Sequence, residues 1–277
     1  MRLVSWNVDG LARLLRDASL ADVHRTLGEP DVLALQEVRL RPLDGELLDA
    51  ASAALPGFAC AWSLCDDPHN GRFRGGRTYG VMTFVREALR PRWLEAPPWD
   101  REGRVLVCAL DGCTVVNAYA PNGTAKPHYQ DGAVLGTRSD FKLRFQRALL
   151  EHVRPFASEL VMLGDWNVSR TALDVYPRLR RESPHAEARA MWNDEVLPSL
   201  ELLDVFRAQH PEQRAYTWFS RGAARRDKLD AARVDYALVA RSLQERVVAT
   251  GIEQELAFRL GSDHAPVWLE LTAPAAW

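Results

Sequence analysis

Three apolar segments of the chain are each followed by a cluster of acidic and amide side chains, and a fourth such cluster stands just before the last apolar segment. The clusters are Trp-Asn-Val-Asp at 6–9, Gln-Glu at 36–37, Gly-Asp-Trp-Asn at 164–167 and Ser-Asp-His at 262–264. A single aspartate after a strand more often closes a turn or caps a helix. Four clusters together favour a site, because neighbouring carboxylates repel one another unless a divalent cation neutralises them. Oxygen ligands select a hard ion, so the sequence predicts Mg²⁺, or Mn²⁺ in its place, rather than Zn²⁺.

Two further segments offer polar groups of another kind. Segment 117–123 reads Asn-Ala-Tyr-Ala-Pro-Asn-Gly and supplies neutral hydrogen-bonding groups, among them the hydroxyl of Tyr119. Its alternative interpretation is a simple proline turn. Segment 233–236 places Asp235 at the start of an apolar run. An acid beside a histidine orients the imidazole and keeps it charged, which is the hypothesis for Asp235.

These side chains need a scaffold that brings distant segments together. Apolar runs predict strands at 2–6, 32–36, 79–85, 104–110, 113–119, 160–163, 233–239, 246–252 and 266–271. Apolar residues at helical spacing predict helices over 11–23, 138–153 and 186–198, and a polar loop is expected over 121–137. Strands alternate with helices without a Pro/Gly-rich linker, so we expect an α/β fold with helix-covered sheets in one domain, residues 1–277.

The composition excludes several classes of protein. The chain has 277 residues, 47% of them hydrophobic, and 35 Lys+Arg against 37 Asp+Glu give a net charge of -2. Such a chain is neither disordered nor uniformly basic, and no apolar run is long enough to cross a membrane. We expect a cytoplasmic protein with four reduced cysteines, at 60, 65, 108 and 113. Basic residues are clustered locally, at 72–77, 138–147 and 221–228.

The motifs WNVDGL, LQEVR, NAYAPNG, LGDWNVS, RVDYALV and GSDHAPVW follow one another over almost the whole chain. In this order and spacing the chain resembles the endonuclease/exonuclease/phosphatase superfamily, and most of all its exonuclease III branch of abasic-site endonucleases. The resemblance implies a four-layer α/β sandwich, two packed mixed β-sheets flanked by helices. It also implies Mg²⁺-dependent hydrolysis of the phosphodiester 5′ to abasic sites in double-stranded DNA, with 3′→5′ exonuclease activity and action as a monomer.

The resemblance also implies roles for individual residues. The metal ligands would be Asn7, Asp9, Glu37 and Asp263, with Glu37 as the principal one. The catalytic residues would be Tyr119, Asp165, Asn167, Asp235 and His264. Asp165 would orient or deprotonate the attacking water, and Asn167 would hold Asp165 and the phosphate. His264, charged and paired with Asp235, would stabilise the phosphoryl oxygens, and Tyr119 would contact the phosphate or help the leaving 3′ oxygen.

Substrate contacts follow from the same resemblance. Trp218 and Phe219 match two walls of the pocket that accepts an abasic sugar, and Asn117 would steady the loop that follows it. The third wall is commonly a large apolar side chain, yet this sequence has Ala232 there, which predicts a looser pocket and leaves open a broader nuclease acting on 3′ ends, including 3′-blocked ones. Phosphate contacts are expected from basic residues, namely Arg72, Arg74, Arg77, Lys126, Arg138 and Arg221.

Two other functions are alternatives. One is a different phosphoesterase of the superfamily, acting on inositol phosphates, sphingomyelin or RNA tails. The other is a catalytically inactive DNA-binding module that kept the fold. Retention of acids such as Glu37 and Asp165 argues against the second alternative, because a carboxylate is costly to bury without a metal or a charged partner.

Overall fold

The computed structural model describes residues 1–72, 74–177, 179, 185–220 and 230–272. The strands in chain order are β1 (Arg2–Asn7), β2 (Val32–Gln36), β3 (Phe58–Ser63), β4 (Val81–Arg86), β5 (Arg92–Trp93), β6 (Val105–Leu110), β7 (Cys113–Tyr119), β8 (Pro127–Gln130), β9 (Ala133–Thr137), β10 (Leu160–Asp165), β11 (Leu202–Asp204), β12 (Trp218–Phe219), β13 (Ala231–Ala232), β14 (Asp235–Ala240), β15 (Val247–Ile252) and β16 (Val267–Leu271). The helices are α1 (Leu11–Asp17), α2 (Leu20–Thr26), α3 (Gly45–Ala53), α4 (Arg138–Val153), α5 (Ala186–Ala190), α6 (Leu197–Ser199), α7 (Val205–Gln209) and α8 (Gln254–Arg259), with a π-helical segment, Met191–Val196, between α5 and α6.

Two six-stranded mixed sheets lie at the centre of the molecule. The first has the strand order β15-β16-β1-β2-β4-β3, and the second has the order β11-β14-β10-β7-β6-β5. β1 pairs in parallel with β2, and β7 pairs in parallel with β10, whereas the other pairs within both sheets are antiparallel. Residues of both sheets, such as Ala34 and Val116, belong to one buried core, so the sheets pack face to face.

Helices cover the outer face of each sheet. In β2, Val32 and Ala34 point into the core between the sheets, and Leu33 and Leu35 join the cluster that includes α1 and α2. This alternation is what a strand buried on both faces requires. On the other side, α4 and the π-helical segment contribute to the core of the second sheet. The result is the four-layer α/β sandwich that the sequence predicts.

The predicted helix over 11–23 is wrong in one respect, because the structure has two helices there. Ala18 adopts an extended conformation and ends α1, and the side chain of Ser19 accepts a hydrogen bond from the amide of Asp22 to cap α2. Serine at such a position is a helix start signal. Likewise, the helix predicted over 186–198 is α5, the π-helical segment and α6 in succession. Strands β3, β5, β11, β12 and β13 and helices α3, α7 and α8 were not predicted.

The polar loop expected over 121–137 contains a β-hairpin, which corrects that prediction. β8 and β9 pair antiparallel across a turn in which Asp131 and Gly132 both have positive φ, 50° and 84°. An Asp-Gly pair with two left-handed residues is the preferred two-residue hairpin turn. The hairpin leads directly into α4, whose first turn is capped by the side chain of Thr137.

All four cysteines are free thiols, three of them buried and Cys60 half-buried, as the sequence predicts. Burial raises the pKa of Cys60 and Cys108 to about 12, which leaves both thiols protonated and unreactive at neutral pH. Among the described residues, no helix combines the length and the apolar character that a bilayer crossing needs.

Candidate active site

Five strands deliver their polar residues to one edge of the two sheets. β1 and β2 end at Asn7 and Gln36, in register, with Glu37 next in the chain. In the second sheet, Asp165 at the end of β10 lies beside both Tyr119 of β7 and Asp235 of β14. Because β7 and β10 are parallel, their carboxyl ends meet at the same place, and antiparallel β14 begins there. The topology therefore brings the predicted clusters together.

Asn7 links the acids of the two sheets. Its Nδ2 donates to Oδ2 of Asp165 at 3.0 Å and to Oε1 of Glu37 at 3.3 Å. The hydroxyl of Tyr119 also donates to Glu37, and Arg39 forms an ion pair with the same carboxylate. Burial raises the pKa of Glu37, but Arg39 and the Tyr119 hydroxyl outweigh it and hold that pKa below its usual range. Glu37 is therefore an anion at neutral pH.

A buried histidine lies between two aspartates on the other side of Asp165. Nδ1 of His264 is 2.9 Å from Oδ2 of Asp235, and Nε2 is 3.8 Å from Oδ2 of Asp165. Burial lowers the pKa of His264, but Asp235 and Asp165 outweigh it and raise that pKa to about 10. His264 is therefore an imidazolium. Burial and the nearby charge of Asp235 raise the pKa of Asp165, which makes this carboxylate a better proton acceptor.

The donor chemistry decides where a metal ion fits. Ligand atoms of Asp165, Asp235 and His264 all lie within 4.8 Å of one another. The imidazolium of His264, however, has no free lone pair with which to bind a metal ion. It also already holds the carboxylate of Asp235 in a hydrogen bond. Oxygen donors from Glu37 and Asp165, joined through the amide of Asn7, suit a hard divalent ion. Such an ion would also relieve the repulsion between these two buried carboxylates.

Asn167 forms a tight turn after β10. It has a positive φ of 51°, and its amide donates to Oδ1 of Asp165 at 2.9 Å. Its Nδ2 donates to the carbonyl of Ala120 at 2.9 Å and lies 3.4 Å from Oδ2 of Asp165. Asparagine is among the residues that tolerate this left-handed conformation best. The turn fixes the carboxylate of Asp165 and keeps an amide beside it.

The two other predicted metal ligands, Asp9 and Asp263, flank this centre. Asp9 has its carboxylate in an ion pair with Arg39 at 2.6 Å, and Arg39 in turn contacts Glu37. Asp263 lines the cleft next to His264. Asp9 is therefore connected to Glu37 through Arg39, and Asp263 lies beside His264.

The site lies where two lobes of a cleft meet. The arginine lobe, about 590 Å³, is lined by Arg39, Arg104 and Arg138 together with Lys126 and tyrosines 79 and 129. The Trp218 lobe, about 450 Å³, has an apolar wall of Val175, Leu179, Trp218, Ala232 and Val234, and its other lining residues include Arg189, His185 and Asp165. Glu37, Tyr119 and Asn122 line both lobes. A bound phosphodiester at this junction would therefore extend into a basic lobe on one side and, on the other, into a lobe with one apolar wall.

Two residues predicted to contact or support the substrate do not line either lobe of the cleft. Asn117 is buried between the sheets, where its Nδ2 donates to the hydroxyl of Thr83 at 2.9 Å and its Oδ1 accepts from Gln36 at 2.8 Å. It ties the sheets together and does not line the cleft. Phe219 is 4% exposed and packs in a separate apolar cluster with Ala257 and Ala265. It follows Trp218 in a strand, and successive residues of a strand face opposite sides, so only Trp218 lines the lobe.

Of the basic residues predicted to contact phosphate, some line the cleft and others do not. Arg138 and Lys126 line the arginine lobe, and Arg138 donates to Glu102 at 2.9 Å. Arg77 pairs instead with Asp44 at 2.6 Å, and Arg72 is exposed. The predictions for the Arg74 side chain and for Arg221 fall outside what the structure describes.

The sequence reasoning missed Arg104, which lines the cleft, and Lys142, which lies behind it. Arg104 is buried with its guanidinium carbon 4.1 Å from the ring of Tyr79 and 4.5 Å from the ring of Tyr119. Lys142 of α4 is 1% exposed, and burial lowers its pKa to about 7. A signal was available for Lys142, because it stands at helical spacing from Phe145 on the apolar stripe of α4. A lysine in such a stripe indicates a buried amine with a partner.

Comparisons with known proteins agree with this geometry. The sequence profile of the Endonuclease/Exonuclease/phosphatase family matches residues 4–264. An exodeoxyribonuclease of Bacillus subtilis is 24% identical over 274 residues, which are 97% of this chain and 98% of that one. A solved 3′ phosphatase from Neisseria, bound to product DNA hairpin, is 27% identical with a TM-score of 0.73 and covers 99% of this chain and 100% of its own.

A solved AP endonuclease from Leishmania major shares the fold, with a TM-score of 0.79 at 23% identity over 99% of this chain and 88% of that one. The residues that meet at the junction of the two lobes all lie inside the segment that the family profile matches. The profile covers nearly the whole chain, and the chain belongs to the Endonuclease/Exonuclease/phosphatase family.

Proposed function

We propose that this protein is a Mg²⁺-dependent DNA-repair nuclease that hydrolyses the phosphodiester 5′ to an abasic site and also removes nucleotides from 3′ ends. It acts as a monomer and as one domain over residues 1–277. The observation that carries the proposal is the pairing of Glu37 with Asp165 through Asn7, facing the charged His264, at the junction of the arginine lobe and the Trp218 lobe.

Asp165 is the group that prepares the attacking water. Its raised pKa lets it accept a proton near neutral pH, and the turn at Asn167 holds the carboxylate in one orientation. Glu37 and Asp165, with Asn7 between them, would hold Mg²⁺, which supplies charge neutralisation at the phosphate oxygens when bound. Within this site, the protein's own task is to place the water in line with the phosphorus.

His264 and Tyr119 act on the charge that develops at the phosphate. The imidazolium is fixed by Asp235 and needs no reorganisation during the reaction, which is how preorganised donors lower a barrier. Tyr119 has its hydroxyl on Glu37. Burial and Glu37 raise the pKa of Tyr119 well above its usual range. Tyr119 therefore stays protonated and donates hydrogen bonds.

The two lobes of the cleft would bind different parts of the nucleic acid. Phosphates of the duplex enter the arginine lobe, since guanidinium groups bind them without reading sequence. The sugar enters the Trp218 lobe, where an abasic sugar costs least because it has no base to unstack. Ala232 lines this lobe next to Trp218 in the β12–β13 pairing. A small side chain there favours additional action on intact or blocked 3′ ends.

The relatives support this substrate class. The Bacillus subtilis relative is named an exodeoxyribonuclease, and the Neisseria structure is a 3′ phosphatase bound to product DNA hairpin. Glu37, Asp165 and His264 are buried or half-buried, with their charges facing one another. This arrangement favours a catalyst over an inactive binding module, because such a cluster is costly to fold without function.

A duplex assay tests the proposal. A labelled duplex with one abasic analogue is incubated with and without Mg²⁺, beside an intact duplex, a duplex with a 3′ phosphate and an inositol phosphate. We expect Mg²⁺-dependent incision 5′ to the analogue and no hydrolysis of the inositol phosphate. Hydrolysis of the inositol phosphate alone would assign a different phosphoesterase. Binding of the abasic duplex without any cleavage would assign a DNA-binding module.

A further inference from the structure

Lys142 is a buried amine that no role in the proposed reaction uses. The chain carries its basic charge almost entirely on arginine, with lysine only at 126, 142 and 228. Lys142 lies on the apolar stripe of α4, and it is only 1% exposed. Burying an ammonium is unfavourable unless its hydrogens are satisfied. A specific task at this position would explain why lysine is kept there.

The Lys142 amine joins two loops of the site. Nζ donates to the carbonyl of Asn167 at 2.5 Å and to the carbonyl of Asn122 at 3.3 Å. Asn167 belongs to the turn that holds Asp165, and Asn122 lies at the junction of both lobes of the cleft. These loops follow β10 and β7, and a single side chain from a third element spans both.

Both loops turn through left-handed backbone next to this contact. Asn167 has a φ of 51° and Gly123 has a φ of 75°. A Cβ atom added at Gly123 would lie 3.0 Å from Cδ of Lys142, so the loop packs directly on the lysine stem. Left-handed residues other than glycine persist when surrounding contacts hold them. The amine bonds the carbonyl of the left-handed residue itself in the Asn167 turn, and in the other loop it bonds the carbonyl of Asn122, directly before Gly123.

We propose that Lys142 is a positioning residue for the hydrolysis, fixing the turn that aims Asp165 relative to the cleft loop at Asn122. The inference rests on the proposed function, since it assigns Lys142 to that reaction. Lys142 does not line either lobe where substrate would lie, so its loss affects the catalytic step more than binding. A displacement of about 1 Å in a catalytic group costs on the order of 100-fold in rate.

The test compares three variants on the abasic duplex. Lys142→Met keeps the stem and removes the donors, whereas Lys142→Gln keeps two N–H donors. Gln146→Met is the control on the same buried face of α4, because the Gln146 amide has no hydrogen-bond partner among the described residues. We expect kcat to fall about 100-fold in Lys142→Met with KM within about threefold. We expect Lys142→Gln to recover about tenfold, and Gln146→Met to match the wild type.

Hydrogen exchange gives a readout that does not depend on activity. We expect faster amide exchange in Lys142→Met over 120–125 and 165–170, with α4 itself protected as in the wild type. A kcat in Lys142→Met within threefold of wild type would overturn the inference. So would equal losses in the Met and Gln variants with faster exchange throughout α4, since that pattern describes a purely structural lysine.

The two possible failures are distinguishable. If wild-type protein does not cut DNA, the proposed function is wrong, and the exchange pattern still decides whether Lys142 fixes the two loops. If Lys142→Met does not fold, Lys142→Gln carries the test. Its kcat is then expected about tenfold below wild type with KM unchanged, and a kcat equal to wild type overturns the inference.

Discussion

Replacing Asp235 with asparagine removes the charge that keeps His264 protonated. The two side chains are buried and joined by a hydrogen bond of 2.9 Å. Burial alone would lower the pKa of His264, and it is Asp235, followed by Asp165, that raises it to about 10. Asparagine has nearly the same shape and no charge. In Asp235→Asn the pKa of His264 therefore falls, and the imidazole becomes neutral at physiological pH.

The size of the effect follows from linkage. A histidine whose pKa rises from 6.5 when unfolded to about 10 when folded stabilises the protein. That contribution is complete below pH 6.5 and disappears as the pH rises through 10, so about 3 kcal/mol of it is lost between pH 6.5 and 9. Asp235→Asn lacks this contribution. The difference in unfolding free energy between wild type and variant should therefore shrink by about 3 kcal/mol between pH 6.5 and 9.

Urea unfolding at the two pH values, with EDTA present, measures this difference. Other groups titrate in the same range. Taking the difference between proteins removes the contribution of those remote from Asp235, whereas Asp165, whose pKa Asp235 raises and His264 lowers, contributes to the difference. Asp131→Asn, which breaks an exposed ion pair with Arg101, is the control and should show the same difference at both pH values. A wild-type-to-Asp235→Asn difference that stays constant within 1 kcal/mol would refute the charged-histidine reasoning.

Three further changes test other parts of the site. Tyr119→Phe removes a hydrogen bond to a buried carboxylate, worth about 1.5–3 kcal/mol, so kcat should fall roughly 10- to 150-fold; an unchanged Mg²⁺ titration and kcat would remove Tyr119 from the site. Arg233→Met removes the buried partner that Asp174 and Asp204 share and leaves each with one partly buried arginine, Arg207 and Arg170; it should cost about 3 kcal/mol of unfolding free energy in urea, and a loss below 1 kcal/mol would contradict this. Ala232→Trp narrows the Trp218 lobe, and the ratio of kcat/KM on abasic over intact duplex should rise; no change would place the third wall elsewhere.

Much of the fold follows from local pattern. Strands such as β1, β2 and β7 are continuous apolar runs, because both faces of each sheet are covered, and such runs are visible in sequence. Short elements were harder to predict. β11 has only three residues, and it is a strand because it pairs with β14. This contact joins segments that are distant in sequence. The β8–β9 hairpin, by contrast, carried a readable signal in Asp131-Gly132, the same dipeptide that stands between the predicted strands 104–110 and 113–119.

For the site, residue type was more predictable than side-chain direction. Acids after strands pointed to one edge because parallel strands end together, and the structure places Glu37 and Asp165 there. Asn117 and Phe219 stand in equally suggestive motifs, yet their strand positions turn them into the interior. Which face a residue occupies depends on sheet packing that a single motif does not encode. The same holds for Lys142, whose partners come from two loops far from it in sequence.

The most direct test of the account is a Mg²⁺ titration of abasic-duplex cleavage by wild type and Glu37→Ala, with Glu46→Ala as a control at an exposed glutamate of α3. If buried oxygens from the two sheets hold one hard cation at the reacting phosphate, the half-saturating Mg²⁺ concentration rises at least tenfold in Glu37→Ala. The Glu46→Ala titration should coincide with that of wild type. Superimposable curves for wild type and Glu37→Ala would contradict the account.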